Sequence, residues 1–564
     1  MEKAEYLPGA IPYARDIIRS YIEKGWWLNL TYGDLLDRSA ANHPRKLAVI
    51  DERKKLTFQE LKERVDRFAV RLVHLGVKKF DRMLIQLPNR HEFLIAFLAA
   101  HRIGAVPVLL IPRHEYREVS HFVKLTEPVA WVVPSTEDKK DFLPLMEKIR
   151  AEAIGLKYVI TPEEQGSLPR GALSMSALIE EIGPGDYSDE FLKKLRPDPN
   201  DVAMILPTGG TTGLPKAVPR THNSFLTNVR YTNEGSRPDD VAGLATPIGH
   251  TMAHQGAVGK CIMFGVTVVL IPVPRAKPIL DAIQNHGITT LTLVPTQLED
   301  ILSEPQLEQY NLSSLHRLRT TGAALRPETV RKAEEMFGKI GTNFGGSSFG
   351  STEGPCTKHF PGEPSEVFRT SIGMPMCEGD HWKVINDDER KLPANTEGEL
   401  CAKGPCVFTG YYKSEAENRQ IFTRDGYYKM GDLGKIDEQG HIFIMGRKKD
   451  IIQRGGEGVV PGEIESLLHM HPAIETAAVV GMPDVRLGER ACAYVVLKPG
   501  QILAFDEMVT FLKGLGAGVL LLPERLEIVK RLPLTAAGKV DKKALLADIS
   551  EKLGREGLKT SKFD

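Results

Sequence analysis

The chain has no apolar run long enough to cross a bilayer. Its longest candidates, 266–274 and 518–523, fall well short of a membrane span. Residues 1–5 carry neither the basic nor the apolar stretch of a secretion signal. Cysteine is sparse. The six residues at 261, 356, 377, 401, 406 and 492 are scattered, and the nearest pair, Cys401 and Cys406, lacks the spacing of a metal knuckle. That usage predicts a reducing, cytoplasmic setting. Neither sign of charge is in excess: Lys+Arg and Asp+Glu are both 73. A neutral chain has no global field to gather nucleic acid or an anionic membrane, so any anion it binds must be met by a local site. Repeats and low-complexity segments are also missing. What remains is a 564-residue chain with 42% hydrophobic residues, enough for several cored domains.

The local site is visible at Pro207-Thr208-Gly209-Gly210-Thr211-Thr212-Gly213-Leu214-Pro215-Lys216. It follows an apolar run, 202–206, that reads as a buried parallel strand. A glycine-rich turn at a strand's carboxyl end exposes several backbone N–H groups at once. Threonine hydroxyls add donors and a lysine adds charge, and together they make a phosphate cradle. It is not the common P-loop, because Gly-Lys-[Ser/Thr] is absent and the lysine follows a proline.

Around this loop, strand-like and helical segments alternate: 82–87, then 91–101 with Phe93, Leu94, Phe97 and Leu98 at helical spacing, then 105–111. The pattern returns at 267–271, 278–286 and 288–294. Such alternation predicts parallel sheets with helices on their faces. Residues 112–200 read as more irregular and rich in charge. Past Gly446 the texture changes to short strands (475–480, 491–497, 525–529) among short helices such as 461–470. The expectation is α/β over 1–446 and a separate α+β domain over 447–564.

Four further constellations lie downstream. Thr321-Gly322-Ala323-Ala324-Leu325 is a small-residue turn that lets backbone approach a flat ligand. Phe349-Gly350-Ser351-Thr352-Glu353-Gly354 joins an aromatic to a hydroxyl and a hard carboxylate suited to magnesium and phosphate. Asp432 follows Gly431, and Arg447 follows Gly446; this pair suits ribose hydroxyls. Lys539 ends the glycine-bearing loop Thr535-Ala536-Ala537-Gly538. Taken alone, each is matched by a plain solvated loop. In this order, the set is not.

In this order the motifs resemble the adenylate-forming superfamily of acyl- and aryl-CoA synthetases, luciferases and adenylation domains, from about residue 35 to 546. Within it the chain looks most like stand-alone aryl-acid ligases of the dihydroxybenzoate-AMP type. The signs are Gly209-Gly210, Arg454-Gly455-Gly456-Glu457, Lys449 after Gly446-Arg447-Lys448, and the region 27–36. The resemblance implies a large N-terminal domain of two α/β subdomains plus a β-rich subdomain, with a small mobile C-terminal α+β domain. It implies ATP with Mg2+ and a two-step reaction: a carboxylate attacks the α-phosphate, releasing pyrophosphate, and a thiol then displaces AMP. Carried over, Thr208, Gly209, Gly210, Thr211, Thr212 and Lys216 hold phosphates. Glu353 binds the metal and Thr352 the α-phosphate. Phe349, Gly322 and Ala323 flank adenine, Asp432 and Arg447 hold ribose, and Lys539 reaches the reacting carboxylate. Lys449 matches the hinge, and Gly455, Gly456 and Glu457 the thiol tunnel.

His250, Thr251 and Gly256 match the acyl pocket. Catechol-acid ligases carry asparagine where Thr251 stands and a small serine where Gly256 stands. The expectation is therefore a benzoate-like or alicyclic acid without ring hydroxyls. Gly458 departs from the lysine or asparagine of many relatives. His222 reads as structural, and the pair His250 and His254 lacks a third ligand for zinc. The main reading is a CoA ligase; the alternative loads the phosphopantetheine arm of a carrier protein. A homodimer is a further expectation, since dimers are frequent among such enzymes.

Overall fold

The computed structural model describes residues 6–556 apart from 138–139, 164–167, 184, 209–213, 323–324, 326, 455–456 and 536–538. Two compact units emerge. The first holds residues 1–369, 373–381 and 403–422; the second holds 370–372, 382–402 and 423–564.

The first unit is built on two seven-stranded sheets. One runs in the order Asn343–Ser348, Arg317–Thr321, Thr290–Leu293, Val241–Leu244, Thr267–Leu270, Leu47–Ile50, Lys55–Thr57. The other runs Lys216–Thr221, Val202–Thr208, Val106–Leu109, Arg82–Ile85, Ala130–Val132, Tyr158–Thr161, Leu173–Ser174. Lys55–Thr57 in the first sheet and Lys216–Thr221 in the second pair antiparallel with their neighbours; the other pairings are parallel. Strands such as Val106–Leu109 and Thr267–Leu270 are buried at every position, as expected where helices cover both faces. The helix His91–Arg102 is buried at every residue but Glu92. It ends on Arg102, whose guanidinium meets Asp66 at 2.7 Å and Asp37 at 2.5 Å. Those partners lie on the helices Phe58–His74 and Tyr32–Asn42, so one buried cation fixes three helices. Residues 112–200, expected to be irregular, supply three strands of the second sheet. Strands of two to four residues are too short to show a period in sequence.

The second unit carries a four-stranded sheet, His381–Ile385, Gly398–Lys403, Tyr428–Ile436 and Ile442–Arg447, with its last three strands antiparallel. A five-stranded sheet follows. The long hairpin Ile474–Asp484 and Gly488–Leu497 forms its centre, with Ile452–Arg454, Glu457–Val459 and Arg525–Ile528 completing it. Helices Pro461–Leu468 and Phe505–Gly514 pack their apolar sides on one face, and Lys542–Arg555 on the other. The expected boundary at 446/447 falls between these two sheets, inside the second unit.

All six cysteines are buried and unpaired. Burial pushes the thiols of Cys261, Cys356, Cys401 and Cys492 up to about 12. Among the described residues no helix is long and apolar enough to cross a membrane.

Candidate functional site

In the first unit the segment expected to hold phosphate joins two antiparallel strands, Val202–Thr208 and Lys216–Thr221. Thr208 ends one strand and Lys216 begins the next, and the two residues face each other across the ladder. Gly209, Gly210, Thr211 and Thr212 lie between them, outside the described residues. Lys216 is paired with the Glu417 carboxylate, and its ammonium sits 4.5 Å from the centre of the Tyr411 ring. The Tyr411 hydroxyl in turn donates to Glu353 Oε1 at 2.8 Å. The cation expected to meet phosphate and the carboxylate expected to meet magnesium thus touch the same aromatic side chain.

Glu353 is buried, at 6% exposure, on a tight loop. Gly350 and Cys356 bridge across the loop's base, and Ser351 N–H donates to Pro355 O at 3.1 Å. Gly354 has φ +121°, and a Cβ there would lie 1.8 Å from Cys406 O, so only glycine fits. Thr352 shows its hydroxyl beside that of Thr251, 3.3 Å away. Its carbonyl accepts from Arg220 Nη1 at 3.0 Å. Arg220 is fully buried and also donates to Asn228 Oδ1 and Cys406 O, both at 2.7 Å. It clamps the hairpin's second strand to the loop that carries Thr352 and Glu353. Phe349 precedes this loop, its N–H bonded to Thr357 Oγ1 at 3.1 Å. Gly322, at φ +98°, turns the chain away from the strand Arg317–Thr321; Ala323 lies outside the described residues.

The residues expected at the acyl pocket follow one helical path. His250 caps the turn Thr251–Ala253, a π-helical turn His254–Val258 continues it, and Gly259–Phe264 completes it. Irregular turns of this kind gather at functional sites. His254 faces inward: Nδ1 bonds Ile248 O at 3.1 Å, the ring packs 4.2 Å from Phe97, and burial pushes its pKa down to about 3. Two groups of described residues are close enough to hold a metal, Cys377/Asp380/Cys406 and Asp51/His91/Glu92, and neither includes His250 or His254. His222 is fully buried and accepts from Tyr32 N–H at 3.3 Å, in keeping with the structural role expected of it. Gly256 lines a small cavity with Lys260, Thr292, Arg317 and Arg319. Lys260 follows Gly256 on the same helical path, whereas Arg317 and Arg319 come from the strand Arg317–Thr321, which the sequence does not place beside it.

In the second unit Asp432 and Arg447 face each other across adjacent antiparallel strands, Nε to Oδ1 at 2.8 Å. Asp432 is buried at 4% exposure, while Arg447 is more open. Lys449 lies in the exposed turn Lys448–Asp450. Glu457 is exposed and pairs in register with Arg454 across Gly455 and Gly456, which are outside the described residues. Lys539 is exposed at the end of a loop closed by Thr535 N–H to Lys539 O at 2.7 Å.

A single carboxylate, Glu353, with neighbouring hydroxyls suits a magnesium ion that keeps most of its ligands as water and phosphate oxygens, the form in which Mg·ATP arrives. Sequence reasoning missed Tyr411, Glu417 and the charged cavity, and it left Arg220 without a role. The signal for Arg220 was available: an arginine inside a strand of otherwise buried residues needs partners.

The family model for "AMP-binding enzyme" matches residues 36–412, and that for "AMP-binding enzyme C-terminal domain" matches 463–539. The chain is 33% identical to a salicyl-AMP ligase / salicyl-S-ArCP synthetase of Mycobacterium tuberculosis, over 96% of this chain and 95% of that protein. It is 33% identical to a 2,3-dihydroxybenzoate-AMP ligase of Bacillus subtilis, over 97% and 99%. The apo structure of MbtA from Mycobacterium smegmatis superposes with a TM-score of 0.72 at 31% identity, covering 96% of this chain and 99% of that one. The chain belongs to the adenylate-forming AMP-binding enzymes, and aryl-acid AMP ligases are among the relatives it resembles over nearly its whole length.

Proposed function

We propose that this chain activates a cyclic carboxylic acid with Mg·ATP as its acyl-adenylate and passes the acyl group to the phosphopantetheine thiol of a carrier protein. The observation that carries the reading is the loop at 350–356. It places a hydroxyl, Thr352, against the acyl-side residue Thr251, and a buried carboxylate, Glu353, in hydrogen-bond contact with Tyr411 beside Lys216. Two anions meet in the first step, and preorganised donors lower that barrier most effectively.

In this reading Thr208, the loop at 209–212 and Lys216 hold the β- and γ-phosphates. Thr352 holds the α-phosphate, and Glu353 takes the magnesium of Mg·ATP. Phe349 and the Gly322–Ala323 turn flank adenine, and Asp432 with Arg447 holds ribose. Lys539 supplies positive charge to the reacting carboxylate, and a turn at Lys449 lets it withdraw so that the 455–457 loop serves the thiol step. The Thr251 hydroxyl gives its one proton to Thr352 and so has none to offer a substrate acceptor.

The relative named as a salicyl-S-ArCP synthetase favours a carrier protein over the CoA expected from sequence. The test is a panel of cyclic acids with Mg·ATP, offered CoA or a phosphopantetheinylated aryl carrier protein, with products read by mass spectrometry. Acyl-S-carrier without acyl-CoA is the expected result. Acyl-CoA formed at comparable rates would replace the carrier by CoA. Failure of every acid to support ATP–pyrophosphate exchange would overturn the adenylating role.

A further inference from the structure

The cavity beside Gly256 holds more positive charge than its surroundings balance. Lys260 is buried at 3% exposure; its ammonium donates to Thr290 Oγ1 at 2.6 Å and lies 4.0 Å from Asp240. Arg319 donates to Thr232 O at 2.5 Å. Among the described residues neither Arg317 nor Arg319 has a carboxylate within ion-pair range, so three cations share one acid. Unbalanced buried charge is costly, and an entering anion relieves it. The strain shows on the side chains. Burial first, then the two arginines, push Lys260 down to about 7 against the pull of Asp240, and burial pushes Arg319 down to about 10.

Two elements place this cavity at the far end of the acyl site. Along the helical path, Gly256 stands five residues beyond Thr251, roughly 7 Å by helical rise, and Lys260 follows on the same face. Along the strand Arg317–Thr321, residues 317, 319 and 321 share the face opposite the buried Leu318 and Thr320. Arg319 is thus about 7 Å back from Thr321, which adjoins the Gly322 turn. The helical path leaves about the span of one ring between Thr251, which touches Thr352, and the cavity. The free space is small, about 20 Å³, room for one water or the tip of a substituent and too little for a ring. A Cβ at Gly256 would make an ordinary contact with Thr292 Oγ1 at 3.6 Å, so a branched side chain there would reach into the space beside Thr292.

We propose that the acid activated by this chain is a dicarboxylate. One carboxylate reacts beside Thr352, and the second, across the ring, enters the cavity and is held by Lys260 and Arg319, with Arg317 adding charge. The inference rests on the adenylating reading above and names its substrate class.

The experiment is ATP–pyrophosphate exchange with benzene-1,4-dicarboxylate and cyclohexane-1,4-dicarboxylate against benzoate and 4-methylbenzoate, on the wild type and on Lys260→Met, Arg319→Met, Arg319→Lys and Gly256→Val. The wild type is expected to favour the diacids in kcat/KM by about 100-fold or more, because buried donors left unpaired reject the uncharged analogue. Lys260→Met and Arg319→Met should each collapse that ratio through KM, with Arg319→Lys restoring part of it. Gly256→Val, which leaves every charge in place, should exclude the diacids, and this variant decides the matter if the methionine variants melt early. A wild-type preference for the monoacids overturns the inference and leaves the adenylating reading standing. A diacid preference untouched by all four variants overturns the assigned cavity. Exchange with no acid at all sinks the adenylating reading and the inference with it.

Discussion

Tyr411 stands between two charges that a nucleotide would use, its ring under Lys216 and its hydroxyl on Glu353. Tyr411→Phe keeps the ring and removes one hydrogen bond to a charged group, a loss of about 2 kcal/mol. The expected outcome is a rise in KM for Mg·ATP of roughly tenfold or more, read by ATP–pyrophosphate exchange; an unchanged KM would detach Tyr411 from the metal site. Lys260 carries a second prediction. Its folded pKa is lowered to about 7, whereas an unfolded lysine keeps its proton to about 10.4. Between those values the unfolded chain binds the extra proton, so this residue's contribution to stability rises with pH. Below pH 7 both states are protonated and the burial cost is felt in full. The groups facing it are Asp240, Arg317 and Arg319. Urea melts of wild type and Lys260→Met at pH 6.5 and pH 9 should show the wild type gaining relative to the variant at the higher pH; a pH-independent difference counts against it. Asp432 and Arg447 were legible in the sequence because each sits beside a glycine in a recognisable motif. Lys260 and Arg319 were not, because a charged side chain on a short helix or strand reads as solvated until its neighbours are known.

At the scale of elements, the loop at 350–356 is held by a glycine whose missing side chain makes room for Cys406 O. Gly354→Ala forces a positive φ and a clash with backbone at once. We expect the variant to fold, with a melting temperature lower by several degrees, and to lose most acid-dependent exchange, because Thr352 and Glu353 move with the loop. Retained activity in a destabilised variant would mean that the loop geometry is not what catalysis needs. The long elements were readable from their patterns: the helix expected at 91–101 is His91–Arg102, and the strands at 267–271 and 288–294 are Thr267–Leu270 and Thr290–Leu293. The sheet formed across 112–200 was not, because its strands draw their stability from neighbours on either side and not from a local period.

At the scale of the whole molecule, the proposed function asks one chain to run two reactions with different needs. Lys539→Ala should reduce adenylate formation by ~10²–10³, by analogy with loss of one oxyanion-hole donor, yet leave thioester formation from a supplied acyl-adenylate largely intact. Single-turnover assays of the two half-reactions make the comparison, and equal losses would rule out a lysine that serves only the first. The cysteines bear on the same chemistry from another side. An acyl-adenylate is an electrophile that acylates any nearby thiolate, and the proposed acceptor is itself a thiol. With all six sulfurs enclosed, and most of those thiols held far from ionisation by burial, the cysteines offer that intermediate no ready thiolate. If the acyl group passes to a carrier thiol as proposed, the enclosed cysteines leave that thiol as the sulfur it meets.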